Sequence, residues 1–244
     1  MSWMHSTTKL KFCVLAAGIC LAVSGSAQVE YVDPTIGNVS ILLVPTRPTV
    51  YMPNSMVRMY PIRADALDDQ IKSFPLTINS HRVQELFSIM PGPDGPAAYD
   101  QEKATPYYYS TRFDASLVRT EFTATERCGY FRFGFQDGKA RVVLANRMTG
   151  KLETEGAGVI SGEEQFDGMK AYVYGEFDAP VAAKVETAGE GNRAVVTGEG
   201  TKTLEFRYGI SFISVEQAKA NLRREIPTWG FEEVKAAGNK AGPK

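Results

Sequence analysis

Few side chains in this 244-residue chain are of the types that carry out chemistry, and their placement decides how each is read. Beyond the first 27 residues His81 is the sole histidine and Cys128 the sole cysteine. An isolated imidazole can titrate near neutrality or simply hold a loop hydrogen bond, so His81 alone names no reaction. Cys128 has no partner for an intrachain disulfide, and beside a hairpin turn it reads as a packing residue. The doublets Asp68-Asp69 and Glu163-Glu164 invite an acid–base reading. Adjacent strand residues point to opposite faces, however, so both are expected to be solvated turn charges. Tyr107-Tyr108-Tyr109 offers a stacking platform, but strand alternation must bury at least one ring, which favours core packing. Arg47, Tyr51, Asn54 and Arg58 combine guanidinium and amide donors with a phenol ring on one proline-rich stretch. Such groups suit bidentate hydrogen bonding, and plain surface display is the alternative.

The elements that must position these residues are strands. The longest run of period-two alternation is Leu117 to Phe135, where Val118, Thr120, Phe122 and Ala124, then Phe131, Phe133 and Phe135, fall on one face. Arg127-Cys128-Gly129 supplies a turn between the halves, giving a hairpin on a large core. Further strands are predicted at Tyr107–Phe113, Ala140–Ala145, Ala171–Phe177, Arg193–Thr197 and Lys202–Ser214. Asp137-Gly138, Asp167-Gly168 and Gly189–Asn192 punctuate them as turns. Before Met90, six prolines exclude a long helix, leaving short extended pieces at Ile41–Val44, Val50–Met52 and Met56–Tyr60. The Pro91–Pro96 run is the strongest loop signal and reads as a connection between sheets. The fold class is therefore mainly β, a large antiparallel β-sandwich. At Ser214 the pattern changes. Ser214 and Gln217 form a capping box for a helix reaching about Arg224, Pro227 ends it, and Phe231 to Lys240 begins another.

Residues 1–27 read as a leader. Lys9 and Lys11 precede an apolar run from Phe12 to Val23 that is short for a bilayer span, and Gly25-Ser26-Ala27 offers a cleavage site before Gln28. A secreted or periplasmic protein is expected, with a β-sandwich over 28–214 and a helical linker over 215–244. Loss of Lys9 and Lys11 takes 27 basic residues to 25 against 28 acidic ones, a net charge of −3. That gives no electrostatic case for nucleic acid, nor for a membrane surface after cleavage.

Several stretches, in order, resemble one family. Glu121-Phe-Thr-Ala-Thr-Glu-Arg-Cys-Gly-Tyr-Phe-Arg-Phe-Gly-Phe135 is similar to the E-x-T-A-T-x-R-x-G-x-x-R-x-x-F signature of glycoside hydrolase family 92, secreted calcium-dependent exo-α-mannosidases. Tyr31-Val-Asp-Pro-Thr-Ile-Gly37 resembles its Y-V-D-P-x-I-G opening. Pro48, Pro53, Met56-Val57 and Pro61 keep the spacing of its P-G-A-x-x-P-F-G-M-V-x-x-x-P segment, and Ser80-His81 matches the S-H of G-F-S-H-T-H. Ala104-Thr-Pro-Tyr-Tyr-Tyr-Ser110 and the run Gly209 to Leu222 resemble later family segments. The chain departs from the pattern where the family's glycine-rich substrate-side loops lie. Gly37-Asn-Val-Ser-Ile-Leu-Leu-Val44 replaces G-T-G-G-H, Thr49 and Asn54-Ser55 replace the Gly of P-G-A and the Phe-Gly of P-F-G-M, and Gly, Thr and the second His around Ser80-His81 are absent.

The resemblance implies a galactose-mutarotase-like supersandwich, the family's N-terminal domain, followed by the start of its linker. It implies that the helical domain holding the general acid, the water-activating carboxylates and the calcium ligands lies outside this sequence. No catalytic residue and no metal ligand is therefore assigned here. An inverting glycosidase needs an acid and a base either side of the scissile bond. The implied partners are an α-mannoside glycan and a helical catalytic domain or partner chain. Arg47, Tyr51, Asn54, Arg58 and His81 fall on the segments aligned with the family's substrate side and are the candidate sugar contacts. Arg127 and Arg132 read as structural, pairing carboxylates such as Glu121 or Glu126 or covering aromatic rings. Trp229 is expected to anchor the catalytic domain or to promote self-association. The expected function is an active-site-framing, carbohydrate-binding domain that is inactive alone. A free-standing carbohydrate-binding module and a protein-interaction domain are the alternatives.

Overall fold

The computed structural model describes residues 31–37, 46–63, 69–79 and 85–241. The leader, His81, Asp68 and the extended piece Ile41–Val44 lie outside the described residues. In chain order the elements are β1 (Val50–Tyr51), β2 (Arg58–Met59), β3 (Ile62–Arg63), β4 (Gln70–Ile78), β5 (Glu85–Pro91) and β6 (Ala97–Thr105). There follow β7 (Tyr108–Phe113), β8 (Arg119–Ala124), β9 (Cys128–Gly134), β10 (Lys139–Ala145) and β11 (Thr149–Glu155). The chain ends in β12 (Val159–Phe166), β13 (Met169–Phe177), β14 (Ala182–Ala188), β15 (Gly191–Glu199), β16 (Thr203–Ser211), α1 (Val215–Glu225) and α2 (Phe231–Lys240).

Thirteen of these strands form one antiparallel path, β11-β12-β13-β16-β9-β8-β7-β6-β4-β5-β10-β15-β14, with β3 added against β4. The path folds over so that β11 returns against β15 and β14, which nearly closes the sheet. β4 is the strand that joins the two halves. Its residues Phe74 to Ile78 pair with β5, whereas Gln70 and Ile71 pair with β6. Pro75 lies where β4 has a strand neighbour on one side only, opposite Ser88 of β5, because β3 pairs only as far as Ser73. The Pro91–Pro96 run connects the two halves, as its composition predicts.

The signature hairpin sits in the middle of the first half. Phe122 and Phe131 are cross-strand partners, as are Thr120 and Phe133. Phe131 and Phe133 stack at 5.6 Å, and Phe131 meets Tyr208 from β16 at 6.2 Å. The predicted inward set is buried throughout. One detail differs. The turn is Thr125-Glu126-Arg127, closed by the Thr125 N–H donating to the Cys128 carbonyl, and Cys128-Gly129 already belongs to β9. Gly129 is required there, because a Cβ would overlap the Tyr208 ring.

The opposite face of this half is covered rather than solvated. Tyr108, Cys128, Tyr130 and Tyr174 form a second apolar cluster with Ala218, Leu222, Ile226 and Phe231 of the helical segment. The N-terminus of α1 is as predicted: the Gln217 N–H donates to the Ser214 hydroxyl at 3.1 Å. α1 settles against Gly209 of β16 so closely that a Cβ there would overlap the Ala218 carbonyl. The Cys128 thiol is fully buried, and burial pushes its pKa up, which fits the packing role read from the sequence.

Glu163-Glu164 overturns its reading as a turn doublet. Both residues lie in β12, and Glu164 is 0% exposed. Its carboxylate accepts backbone N–H groups from Phe87, Arg147 and Met148, so it ties β12 to β5 and to the turn after β10. The rule of opposite faces still applies. Glu163 points outward and pairs with Lys170 at 3.2 Å.

Candidate functional site

Four of the five candidate residues are described: Tyr51 and Arg58 on one small ribbon, Asn54 on its turn, and Arg47 on the chain leading into it. β1 and β2 pair through Val50↔Met59 and Tyr51↔Arg58. Val50, Val57 and Met59 are fully buried and anchor the ribbon to the core. The polar members then point away from it. The Arg58 guanidinium lies over the Tyr51 ring, 5.8 Å from the centroid, and Arg47 lies over the Tyr60 ring at 5.0 Å. A cation over an aromatic face holds the guanidinium without using its donors. Tyr51 is 50% exposed, so its outer face is open.

Three residues not singled out from the sequence complete this cluster. Tyr60 is buried, and burial pushes its phenol pKa up, with Arg47 and Arg58 pulling down and Glu85 pushing up. Glu85 is buried at the start of β5 and pairs with Arg147 at 3.0 Å. Burial raises its pKa against the pull of Arg147, Arg47 and Lys72. No sequence pattern marks Glu85 or Arg147. They meet only because β5 and β10 are neighbours, pairing Ser88 with Ala145 near these ends.

Asn54 stands apart from the arginines. It occupies a left-handed position, φ 57°, at the tip of the β1–β2 turn, where Asn is one of the better-tolerated residues. There it borders a cleft of about 300 Å3 whose other walls include Met52, Ala124, Glu126, Val234 and Gly238. His81 lies outside the described residues, so the structure neither joins it to this cluster nor separates it.

The signature side chains face the helices instead. Glu225 of α1 accepts the Thr125 hydroxyl at 2.6 Å and the Arg127 N–H at 2.8 Å, and pairs with the Arg127 guanidinium at 3.0 Å. Arg132 joins Glu121 at 2.8 Å to Glu232 of α2 at 2.6 Å, and lies 4.2 Å from the Phe231 ring centroid. Tyr108 donates its hydroxyl to Glu121 at 2.6 Å. Arg127 and Arg132 are thus structural, as expected, and their partners include the helical segment. Trp229 is held by this same chain, edge-on to Tyr130 at 6.0 Å and 4.2 Å above the Arg207 guanidinium. Tyr109 is fully buried and donates to Glu102 at 2.8 Å, so the tyrosine triplet packs rather than forming a platform.

Calcium needs several convergent oxygens. Among the described residues no three His, Cys, Asp or Glu side chains converge in that way. Among the described residues the Arg47–Arg58 cluster has one carboxylate, Glu85, already paired with Arg147, so these residues do not fit a calcium ion and no step is assigned to one.

Comparison with known proteins adds the following. Residues 31–220 match the glycosyl hydrolase family 92 N-terminal domain. Among solved structures, the family GH92 inverting mannosidase BT2199 from Bacteroides thetaiotaomicron VPI-5482 superposes with a TM-score of 0.78 at 24% identity. That likeness covers 87% of this chain and 35% of the mannosidase. The family GH92 α-mannosidase BT3965 from Bacteroides thetaiotaomicron gives a TM-score of 0.72 at 18% identity, over 87% of this chain and 37% of that one. BT3965 is similar also in its complex with mannoimidazole. The chain spans about a third of the length of these solved relatives, and at such identities the likeness concerns the fold. No curated protein matches the chain.

Proposed function

The chain belongs to glycosyl hydrolase family 92 through its N-terminal domain, and on that premise we propose that it is a non-catalytic, active-site-framing domain of an α-mannosidase-like protein. Its exposed β1–β2 ribbon, with Arg47, Tyr51, Arg58 and the neighbouring Asn54, supplies the sugar-side face. The observation that carries this reading is the family match across 31–220, together with a cluster that offers donors and a stackable ring but, among the described residues, no free carboxylate pair. Inverting hydrolysis needs two carboxyl groups about 6.5–9.5 Å apart across the scissile bond. The glycan class is α-mannoside, as for the solved relatives, and the partner is a helical catalytic domain. Export through a leader cleaved before Gln28 belongs to the same proposal.

The apolar face of α2 disfavours a role as a protein-docking module. Phe231 is buried against Tyr108 and Tyr130, and Val234 is half-buried beside them. The test is an assay of the purified chain on 4-nitrophenyl α-mannoside and α-mannobiose, with and without calcium. No turnover is expected, and measurable release of mannose in excess of a buffer blank overturns the proposal. Calorimetric titration with methyl α-mannoside tests the binding half, for which millimolar affinity is expected.

A further inference from the structure

The β1–β2 face carries a charge imbalance that a neutral sugar leaves unused. Arg47 and Arg58 are held by the Tyr60 and Tyr51 rings, and neither forms an ion pair among the described residues. Both act electrostatically on the Tyr60 phenol, so they share one locality. The carboxylate in reach, Glu85, is committed to Arg147. Among the described residues, Arg47 and Arg58 are thus left without a carboxylate of their own. Planar guanidinium forks match the paired oxygens of a carboxylate, sulfate or phosphate, and such charge-assisted bonds are roughly twice as strong as neutral ones.

We infer that the ligand of this face is an anionic glycan, a sugar bearing a carboxylate, sulfate or phosphate ester, with Arg47 and Arg58 holding the anion and Tyr51 against the sugar ring. The inference rests on the reading of this ribbon as the sugar side. It adds a substrate class that the neutral α-mannoside reading does not contain. The anion balances the unpaired positive charge of Arg47 and Arg58, while the open Tyr51 face supplies stacking area beside it.

The test is calorimetric titration of the whole chain with five probes: methyl α-mannoside, glucuronate, mannose 6-sulfate, mannose 6-phosphate and inorganic phosphate. At least one charged sugar is expected to bind about tenfold tighter than methyl α-mannoside, to exceed inorganic phosphate, and to weaken as salt rises. The three charged sugars distinguish the source of the anion. Arg47→Gln and Arg58→Gln, checked for folding by far-UV circular dichroism, are each expected to lower that affinity about tenfold. Arg58→Lys keeps the charge but loses the fork and recovers only part of it. Equal binding of methyl α-mannoside overturns the inference and leaves the carbohydrate role standing. Inorganic phosphate binding as tightly as the sugar ester overturns the glycan part. Charged-sugar affinity that survives in both folded glutamine variants places the anion elsewhere and also overturns it. Absence of binding to every sugar by natively folded protein overturns both the inference and the proposed function.

Discussion

Glu164 offers the sharpest test of how this sheet is held closed. Its carboxylate is 0% exposed and is the shared acceptor for the Phe87, Arg147 and Met148 N–H groups. Two of these donors reach Oε1 and the third reaches Oε2. In Glu164→Ala all three donors lose their partner, the buried Phe87 N–H and those of Arg147 and Met148, which lie on an exposed turn where water can replace it. The buried Phe87 orphan costs about 1–3 kcal/mol and truncating a fully buried side chain adds a cavity, so the variant is expected to lose about 3 kcal/mol. That is a large part of a domain stability of about 5–15 kcal/mol. Glu164→Gln keeps one acceptor oxygen for the Arg147–Met148 pair but turns an amide NH2 toward one donor, a loss of about 1–3 kcal/mol. Urea unfolding followed by tryptophan fluorescence reads the difference. With a slope of about 1–3 kcal/mol per molar urea, the alanine midpoint falls by about 1 M or more. The pH dependence gives a second readout. Burial pushes the Glu164 pKa above 4.5, against the pull of the three N–H groups. A carboxyl with a raised folded pKa binds protons more readily in the native state, so stability falls as pH rises through the window just above 4.5. The glutamine variant lacks that slope. An alanine variant within about 0.5 kcal/mol of wild type, the range of an ordinary surface change, refutes the clamp.

The remaining predictions concern the helical cover. Burial opposes ionisation of Glu176, but hydrogen bonds from Arg223, Tyr174 and Arg207 overcome it and lower its pKa to about 2. Its stabilising contribution is therefore complete above pH 4.5 and lost as pH falls toward 2. Amide exchange in α1 should accelerate over that window, and Glu176→Gln should remove the dependence. Glu225→Ala leaves the Arg127 N–H and Thr125 hydroxyl without their acceptor, an expected loss of about 1–3 kcal/mol by urea unfolding. Arg127→Ala, at a side chain 38% exposed, should cost no more than about 1 kcal/mol, so equal losses would contradict the assigned roles. Gly209→Ala forces a methyl into the Ala218 carbonyl and should cost about 1–3 kcal/mol or more. A thermal midpoint equal to that of wild type would show that α1 sits further from the sheet.

What could be read in advance followed burial on alternate residues. β7, β8, β9, β10, β13, β15 and β16 each place apolar side chains inward at a period of two, and each was visible for that reason. β11 and β14 were not, because strands at the ends of the sheet path are largely exposed and spell polar runs such as Thr149 to Glu155. β6 hid behind a register shift between Asp100 and Lys103, where Gln101 takes φ 56° and breaks the alternation. β12 looked like a turn because Gly162-Glu163-Glu164-Gln165 lacks apolar residues, although Glu164 is buried. At the candidate site, Arg47, Tyr51 and Arg58 are candidates only through the resemblance of their segment. Glu85, Tyr60 and Arg147 are not, since their proximity depends on packing between strands far apart in the chain. The signature motif gave the family but not its mechanical role, because Glu225 and Glu232 lie about 100 residues beyond the side chains they meet.

The position of β16 has a consequence for how the protein is made. It is the last strand among the described residues, yet it lies between β13 and β9 rather than at a margin of the sheet. During synthesis β9 is complete some 70 residues before Thr203 to Ser211 emerges, and it must wait with one backbone edge unpaired. An unpaired edge beside Phe131 and Phe133 is a template for pairing with another nascent chain. Closure is thus a late event that depends on non-local contacts, which slow folding and lengthen the aggregation-prone interval. Ribosome-bound chains made without residues 1–27 and arrested before Thr203 should recruit holding chaperones, and those arrested well past Ser211 should release them.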